Sequence, residues 1–541
     1  MIDCPTSETN NSVSHSRGLI NMDLRSIAVR FVLALTSLGS CCQALADVRM
    51  PALFTPHMVL QRDMPVPIWG WADPQEEVTV ELGDQRKVAT ADAEGNWKVV
   101  LDPLQLGPPR TLVVQGNNTL EITDVLVGEV WICSGQSNME WPVVATMGSD
   151  LELAGSEQPT IRLLTVHGPG VQQPLVDFDG AWELATPATV RDFSAVGYYF
   201  ARRIQSVVDV PIGLIDNSWG GSACEAWIPT EKMAGNELYE PILKRWSEIE
   251  ASTDEGALRA EYAATYDKWK EQLAQAIASG GPIPMEPRPR HPLLGQSRPA
   301  NMYNSRIAPL APFAIRGAIW YQGESNADRA YQYREMFPLM ITTWREAWGQ
   351  GDFPFYWVQL ADFMAEQPEP KPSPWAELRE AQTLTLDRLE NVGEAVIIDV
   401  GDGKDIHPIN KQTVADRLAR WALAKQYGVE VAYASPRLAK FEVAEGKAVI
   451  TLNRCEGGLM HLDTPEVLGF ALAGEDQKWY PATAKIVGGD RVELSSPEVP
   501  NPVAVRYAWG DNPRVNLYTR HGLPVTPFRS DDWPGATANN R

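Results

Sequence analysis

Four short segments of this 541-residue chain hold residue types from which a hydrolytic site can be built. The first is Ser134-Gly135-Gln136-Ser137-Asn138-Met139, which sets a serine between a glycine-bearing strand end and the expected start of a helix. A hydroxyl placed there stands at a sheet edge, where helix N-terminal N–H groups and the positive end of a dipole can face a developing oxyanion. It is not the G-x-S-x-G elbow of α/β-hydrolases, and by itself the segment reads equally as a serine helix cap. The second, Asn217-Ser218-Trp219-Gly220-Gly221-Ser222, has two glycines that let the backbone approach a ligand and offer a further N–H. Alone it is a tight turn. The third, Gln322-Gly323-Glu324-Ser325-Asn326, supplies a side-chain amide able to donate another hydrogen bond. Glu324 could orient its neighbours or accept from a substrate hydroxyl.

The fourth segment, Asp402-Gly403-Lys404-Asp405-Ile406-His407-Pro408, supplies what a serine nucleophile needs: a base, and a carboxylate to fix the tautomer of that base. Residues two apart in an extended loop point to the same side. Asp405 can thus reach one ring nitrogen of His407 while the other faces Ser137, with Asp402 as the reserve. Of the chain's seven histidines, His15 falls in the expected export signal, His57, His461 and His521 in β-rich flanks, and His167 and His291 in glycine- or proline-rich loops. His407 alone follows an expected sheet strand with acids beside it.

These segments need a scaffold that brings them together. From Glu129 to about Tyr427, apolar runs alternate with helical periods: Val130–Cys133, Ile212–Ile215, Ala318–Tyr321, Phe355–Leu360 and Ala395–Asp399. Helices are expected through Val196, Phe200, Ile204 and Val207, and through Val414, Leu418 and Trp421. Continuous apolar strands separated by helices indicate a parallel sheet covered on both faces, and ligands bind at the carboxyl ends of such strands. Before this region, residues 47–126 read as a small β-sandwich, with Val78, Val80 and Leu82, then Trp97, Val99 and Leu101, alternating with polar residues. After it, residues 429–541 return to short strands. Within the α/β region of 127–428, an insertion of about 248–298 carries an amphipathic helix (Leu258, Tyr262, Trp269, Leu273, Ile277) and the proline-rich stretch Pro282–Pro292. Its aromatic stripe is read as packing.

A net charge of −22 disfavours nucleic acid and anionic membranes as partners. Arg25 and Arg30 precede the apolar run Phe31–Leu38, and Ala44-Leu45-Ala46 is an A-x-A cleavage pattern, so residues 1–46 read as an export signal, with Met22 an alternative start. The run is too short for a membrane span, which takes about 20 apolar residues. Leu38-Gly39-Ser40-Cys41 also fits a lipoprotein signal that would leave Cys41 lipidated. The mature chain keeps Cys133, Cys224 and Cys455, without zinc spacing. Cys133 and Cys224 are read as buried free thiols, a bridge between them being the alternative.

Taken together, the segments resemble the sialate O-acetylesterase family of SGNH-type hydrolases. The likeness runs from Leu53-Phe54 and Met58-Val59-Leu60-Gln61-Arg62, through Gly128-Glu129-Val130-Trp131-Ile132-Cys133-Ser134-Gly135-Gln136-Ser137-Asn138-Met139, Ser218-Trp219-Gly220-Gly221 and Trp320-Tyr321-Gln322-Gly323-Glu324-Ser325. It ends with Asp405-Ile406-His407-Pro408, Gly522-Leu523-Pro524 and Asp531-Asp532-Trp533. The resemblance implies a flavodoxin-like three-layer α/β/α domain between β domains, and deacetylation of sugar hydroxyls through an acetyl-serine with no metal or organic cofactor. It casts Ser137 as nucleophile, His407 as base and Asp405 as acid. The oxyanion hole would comprise the Ser137 N–H, a glycine N–H at Gly221 or Gly220, and the Gln322 side chain. Many SGNH enzymes place the acid three residues before the histidine; here that residue is Lys404, so the role passes to Asp405. Asn138, Trp219, Trp227 and Glu324 are candidate substrate contacts, and Arg379 a candidate partner for a substrate carboxylate. A lipase or thioesterase on the same fold, and a carbohydrate-binding protein with an inactive centre, are the competing functions.

Overall fold

A computed structural model describes residues 47–287, 291–367, 370–444 and 447–541. The expected export signal and Cys41 lie outside the described residues.

The central sheet is built on one long strand. β1 (Thr119–Gly135) is 17 residues long, and every residue from Val125 onward is buried. It is joined by β2 (Gln158–Thr165), β3 (Trp182–Ala185), β4 (Ile212–Asp216), β5 (Gly317–Tyr321), β6 (Phe355–Val358) and β7 (Val392–Ala395) in the order β7-β6-β5-β1-β4-β2-β3. All pairings are parallel except β2 with β3. Alternate residues of the apolar runs enter different cores. Val130, Ile132, Ala318, Trp320, Phe355 and Trp357 join one apolar cluster with helices Ala330–Trp348 and Pro374–Leu384. Trp131, Cys133, Ile319, Tyr321, Tyr356 and Val358 join the other, with helices Ala195–Val208 and Lys411–Lys425. With both faces covered, the strands have no polar side to alternate with.

Two expectations shift. β2 and β3 are additions, because Arg162 breaks the run Ile161-Arg162-Leu163-Leu164. Arg162 is buried, and satisfies its charge on Asp124 (2.7 Å) and on the carbonyl of His57 (3.1 Å). The strand expected over Ala395–Asp399 instead ends at Ala395. Val396 and Ile398 are apolar because they leave the sheet and enter the core of the C-terminal β region.

The change of pattern at residues 126–127 falls inside β1. Its first half pairs antiparallel with Arg110–Gln115, and Val59–Gln61 joins in parallel at Leu126–Gly128. At that junction Glu129 is fully buried and accepts from Arg62 Nε (2.5 Å), Arg316 Nε (2.5 Å) and Gln61 Nε2 (3.2 Å). The Gln61-Arg62 and Glu129 motif residues are thus a structural clamp. C-terminally, Arg437–Ala444, Lys447–Asn453, Arg491–Ser495 and Thr483–Ile486 form a four-stranded antiparallel sheet. In the insertion, helix Glu255–Ser279 has no buried residue. Its aromatics fasten the proline-rich stretch, Tyr262 to the Pro287 carbonyl (3.3 Å) and Trp269 Nε1 to that of Pro284 (3.0 Å). Cys133 and Cys224 are buried free thiols. No helix among the described residues is long and apolar enough to cross a membrane.

Candidate active site

β1 is the switch point of the sheet: the chain moves to one side for β2 and β4, then crosses to the other for β5. Ligand crevices open at the carboxyl ends of strands at such points. Ser137 follows β1 directly, between the turn after β4 and the loop after β5. Gly135 makes the exit with φ +133°, and the Gln136 N–H donates to the Tyr321 carbonyl (2.9 Å). The turn at 219–222 is held to the same strand end, since Trp219 N–H (3.0 Å) and Ser222 Oγ (3.2 Å) both donate to the Gly135 carbonyl.

Across this edge the loop after β7 brings in His407. Its Nε2 lies 2.8 Å from Ser137 Oγ, although 270 residues separate the two in sequence. Its Nδ1 is 3.3 Å from Asp405 Oδ1, which also accepts the His407 backbone N–H (2.9 Å). Asp402 instead accepts the Lys404 N–H (2.8 Å) and shapes the loop. Trp141 stacks on the imidazole, with centroids 4.8 Å apart and planes at 15°. Burial and the nearby charge of Lys411 hold the His407 imidazole below its ordinary range, against the opposing pull of Asp405. Burial and the Lys411 charge thus both favour the neutral imidazole, the form able to take a proton.

The helix after Ser137 is a single turn, Ser137–Glu140, so an oxyanion there depends on individual N–H groups rather than on a long dipole. Among the described residues no group accepts from the Ser137, Gly220 or Gly221 N–H. Gly220 stands close to the nucleophile: a Cβ on it would lie 3.5 Å from Ser137 Cβ and 2.9 Å from Glu140 Oε2. Gly221 has φ +69°.

Several expected roles change. Gln322 is fully buried and its amide is committed: Nε2 donates to the Ser222 carbonyl (3.1 Å) and Asn326 Oδ1 (2.7 Å), and Oε1 accepts from Tyr333 (3.0 Å). A buried amide must find partners, and these leave no hydrogen for an oxyanion. Gln322 braces the glycine turn instead. Asn138 is likewise committed. Its Nδ2 donates to Glu324 Oε1 (2.7 Å) and the Ile406 carbonyl (3.0 Å), and its Oδ1 accepts from Lys411 Nζ (2.5 Å). Glu324 therefore orients a neighbour. Trp227 is fully buried against Trp320, with Nε1 on Ser222 Oγ (3.0 Å), and offers no face to a ligand. Trp219 is half-buried beneath the Arg306 guanidinium, 4.6 Å from its ring. Arg379 is fully buried and donates to the carbonyls of Leu360, Ala361, Gly510 and Asp511, so it is no partner for a substrate carboxylate. Among the described residues no cluster of His, Cys, Asp and Glu gathers as a metal set.

The family model for carbohydrate esterase, sialic acid-specific acetylesterase, matches residues 127–261 and 296–419. The sialate O-acetylesterase of Mus musculus is 30% identical over 518 residues, covering 87% of this chain and 92% of its own length. The chain belongs to this esterase family. The human sialate O-acetylesterase is 28% identical, with 91% of this chain and 94% of that one covered. The crystal structure of a carbohydrate acetylesterase from Xanthomonas citri superposes with a TM-score of 0.76 at 38% identity, covering 90% of this chain and all of that one. The family match opens at β1, and its gap at 262–295 falls within the insertion. As a member of the family the protein is an esterase.

Proposed function

We propose that this esterase hydrolyses O-acetyl esters of sugars through an acetyl-serine on Ser137. The observation that carries the reading is the 2.8 Å approach of His407 Nε2 to Ser137 Oγ, with Asp405 at the other ring nitrogen. His407 takes the hydroxyl proton as Oγ attacks the acetyl carbonyl. The N–H groups of Ser137 and of Gly220 or Gly221 receive the oxyanion, and each such donor is worth about 10²–10³-fold in turnover. The imidazolium returns its proton to the departing sugar oxygen. Water, deprotonated by the same imidazole, then attacks the acetyl-serine; the bond from the acyl carbon to Ser137 Oγ breaks, Oγ takes the proton back from the imidazolium, and acetic acid departs as acetate and a proton.

The same reading makes residues 127–428 an SGNH-type three-layer domain between β domains at 47–126 and 429–541. It makes residues 1–46 an export signal that delivers the protein to the periplasm or the extracellular space. Acetate release from acetylated xylan, xyloglucan, pectin and O-acetylated sialic acid, by wild type and Ser137→Ala, tests the proposal. Release that vanishes in the variant supports it, and the substrate panel ranks the glycans. A folded wild type that binds these glycans and releases nothing would sink it.

A further inference from the structure

Behind the Ser137–His407 pair runs a buried polar chain that the reaction does not consume. Lys411, the first residue of helix Lys411–Lys425, is fully buried. Its ammonium donates to Asn138 Oδ1, and Asn138 donates onward to Glu324 and to the Ile406 carbonyl. One asparagine therefore ties the residue after the nucleophile to the residue before the base. Glu324 Oε2 is buried without a partner. The ammonium also lies 5.2 Å from the Tyr321 ring centroid and 5.8 Å from that of Trp141, the ring stacked on His407. Burying an ammonium is costly unless it is paired. An apolar side chain would fill this space at lower cost, so the position of the charge calls for an explanation.

We infer that Lys411 is a positioning residue for His407: its buried charge, clamped through Asn138 onto Glu324, keeps the imidazole neutral and holds the serine and histidine segments in register. The inference rests on the serine-esterase reading above. The charges that act on His407 are Asp405 from its own loop and Lys411 from the next helix; the serine segment contributes Ser137 and the uncharged Trp141 ring. Glu324 and Asp405 face Lys411. Burial pushes Lys411 down to about 7, against both carboxylates, so it keeps its charge across the acidic range in which His407 titrates. A positive neighbour disfavours the imidazolium. Losing the charge must therefore raise the pH at which the base becomes protonated.

The test is kcat/KM against pH, with a short synthetic acetyl ester, for wild type, Lys411→Arg, Lys411→Gln and Lys411→Met. The neutral variants should move the acid limb upward by on the order of half a pH unit, while Lys411→Arg keeps it in place. Lys411→Gln retains a donor for Asn138, which separates charge from hydrogen bonding. Folded neutral variants with lower kcat and an unmoved acid limb would overturn the inference. Should neither neutral variant fold, NMR titration of His407 in the wild type and in Lys411→Arg decides. A midpoint at or above the ordinary imidazole value overturns the inference, and a midpoint that is lowered in the wild type and in Lys411→Arg but rises once the pH passes through the range in which Lys411 loses its charge supports it. Acetate release that persists in Ser137→Ala would instead overturn the nucleophile assignment.

Discussion

Gly135 and Tyr321 meet so closely that a Cβ on Gly135 would stand 2.2 Å from the Tyr321 carbonyl oxygen. That oxygen accepts the Gln136 N–H, so the contact sets the direction in which the chain delivers Ser137. With φ at +133°, any side chain here is also strained. Gly135→Ala must push β1 away from β5 and carry the nucleophile with it. Misplacement of a reacting group by about 1 Å costs roughly 10²-fold in rate. We expect a loss of that order in kcat, with secondary structure retained by circular dichroism. Near-wild-type kcat would show that Ser137 is not aimed by this contact.

The alternation of apolar runs and helices made the parallel sheet legible; three of the four polar segments fell at the ends of neighbouring strands, and the fourth on the loop after β7. Legibility failed where a residue serves two masters. Arg162 concealed β2 because its charge is neutralised by Asp124, which lies outside the parallel part of the sheet. Val396 and Ile398 mimicked a sheet strand because a different core buries them. Gln322 had the type expected of an oxyanion donor, but a side-chain amide also braces turns, and only its partners tell the two roles apart. Lys411 lay four residues beyond His407 with no visible motif. Its role depends on contacts to Asn138 and the Glu324 loop, which no local pattern encodes.

The acid of the triad can be separated from its neighbour. Asp405 touches the imidazole at 3.3 Å and is 55% exposed, whereas Asp402 holds the Lys404 N–H. A buried triad acid replaced by its amide loses about 10⁴-fold in kcat. Solvent around Asp405 reduces what its charge contributes, so Asp405→Asn should fall short of that loss, at roughly 10²-fold or more. Asp402→Asn keeps an acceptor for Lys404 and should stay near wild type. Steady-state kinetics of both variants decide the matter, and the reverse order would move the acid role to Asp402.

Glu129 joins the Val59–Gln61 strand to the central sheet by accepting from Arg62 and Arg316. Breaking a buried ion pair costs about 3–5 kcal/mol, because the surviving charge is left unpaired. Both arginines are about one-fifth exposed, so water relieves part of that burden. Glu129→Ala should therefore cost near the lower end, about 3 kcal/mol. Because the clamp sits in the middle of β1, eight residues before Ser137, kcat of the folded variant should be kept. Denaturant titration and kinetics on one preparation test this. Unchanged stability would show that the clamp is dispensable, and a selective loss of kcat would link it to the site.

Glu394 on β7 offers a pH-dependent counterpart. It is buried between Trp357 Nε1 (3.1 Å) and Thr383 Oγ1 (2.8 Å), and burial pushes its carboxyl up to about 7 from an ordinary value of 4.5. Between those two values the folded chain keeps a proton that the unfolded chain has released. Its contribution to stability is therefore complete below about pH 4.5 and is lost as pH rises through about 7. Glu394→Gln mimics the protonated form at every pH. Thermal unfolding from pH 5 to pH 8 should show wild-type Tm falling relative to the variant, with the variant the more stable at pH 8. Parallel Tm profiles would mean that Glu394 is already ionised in the folded protein at pH 5, held by its hydrogen bonds despite its burial.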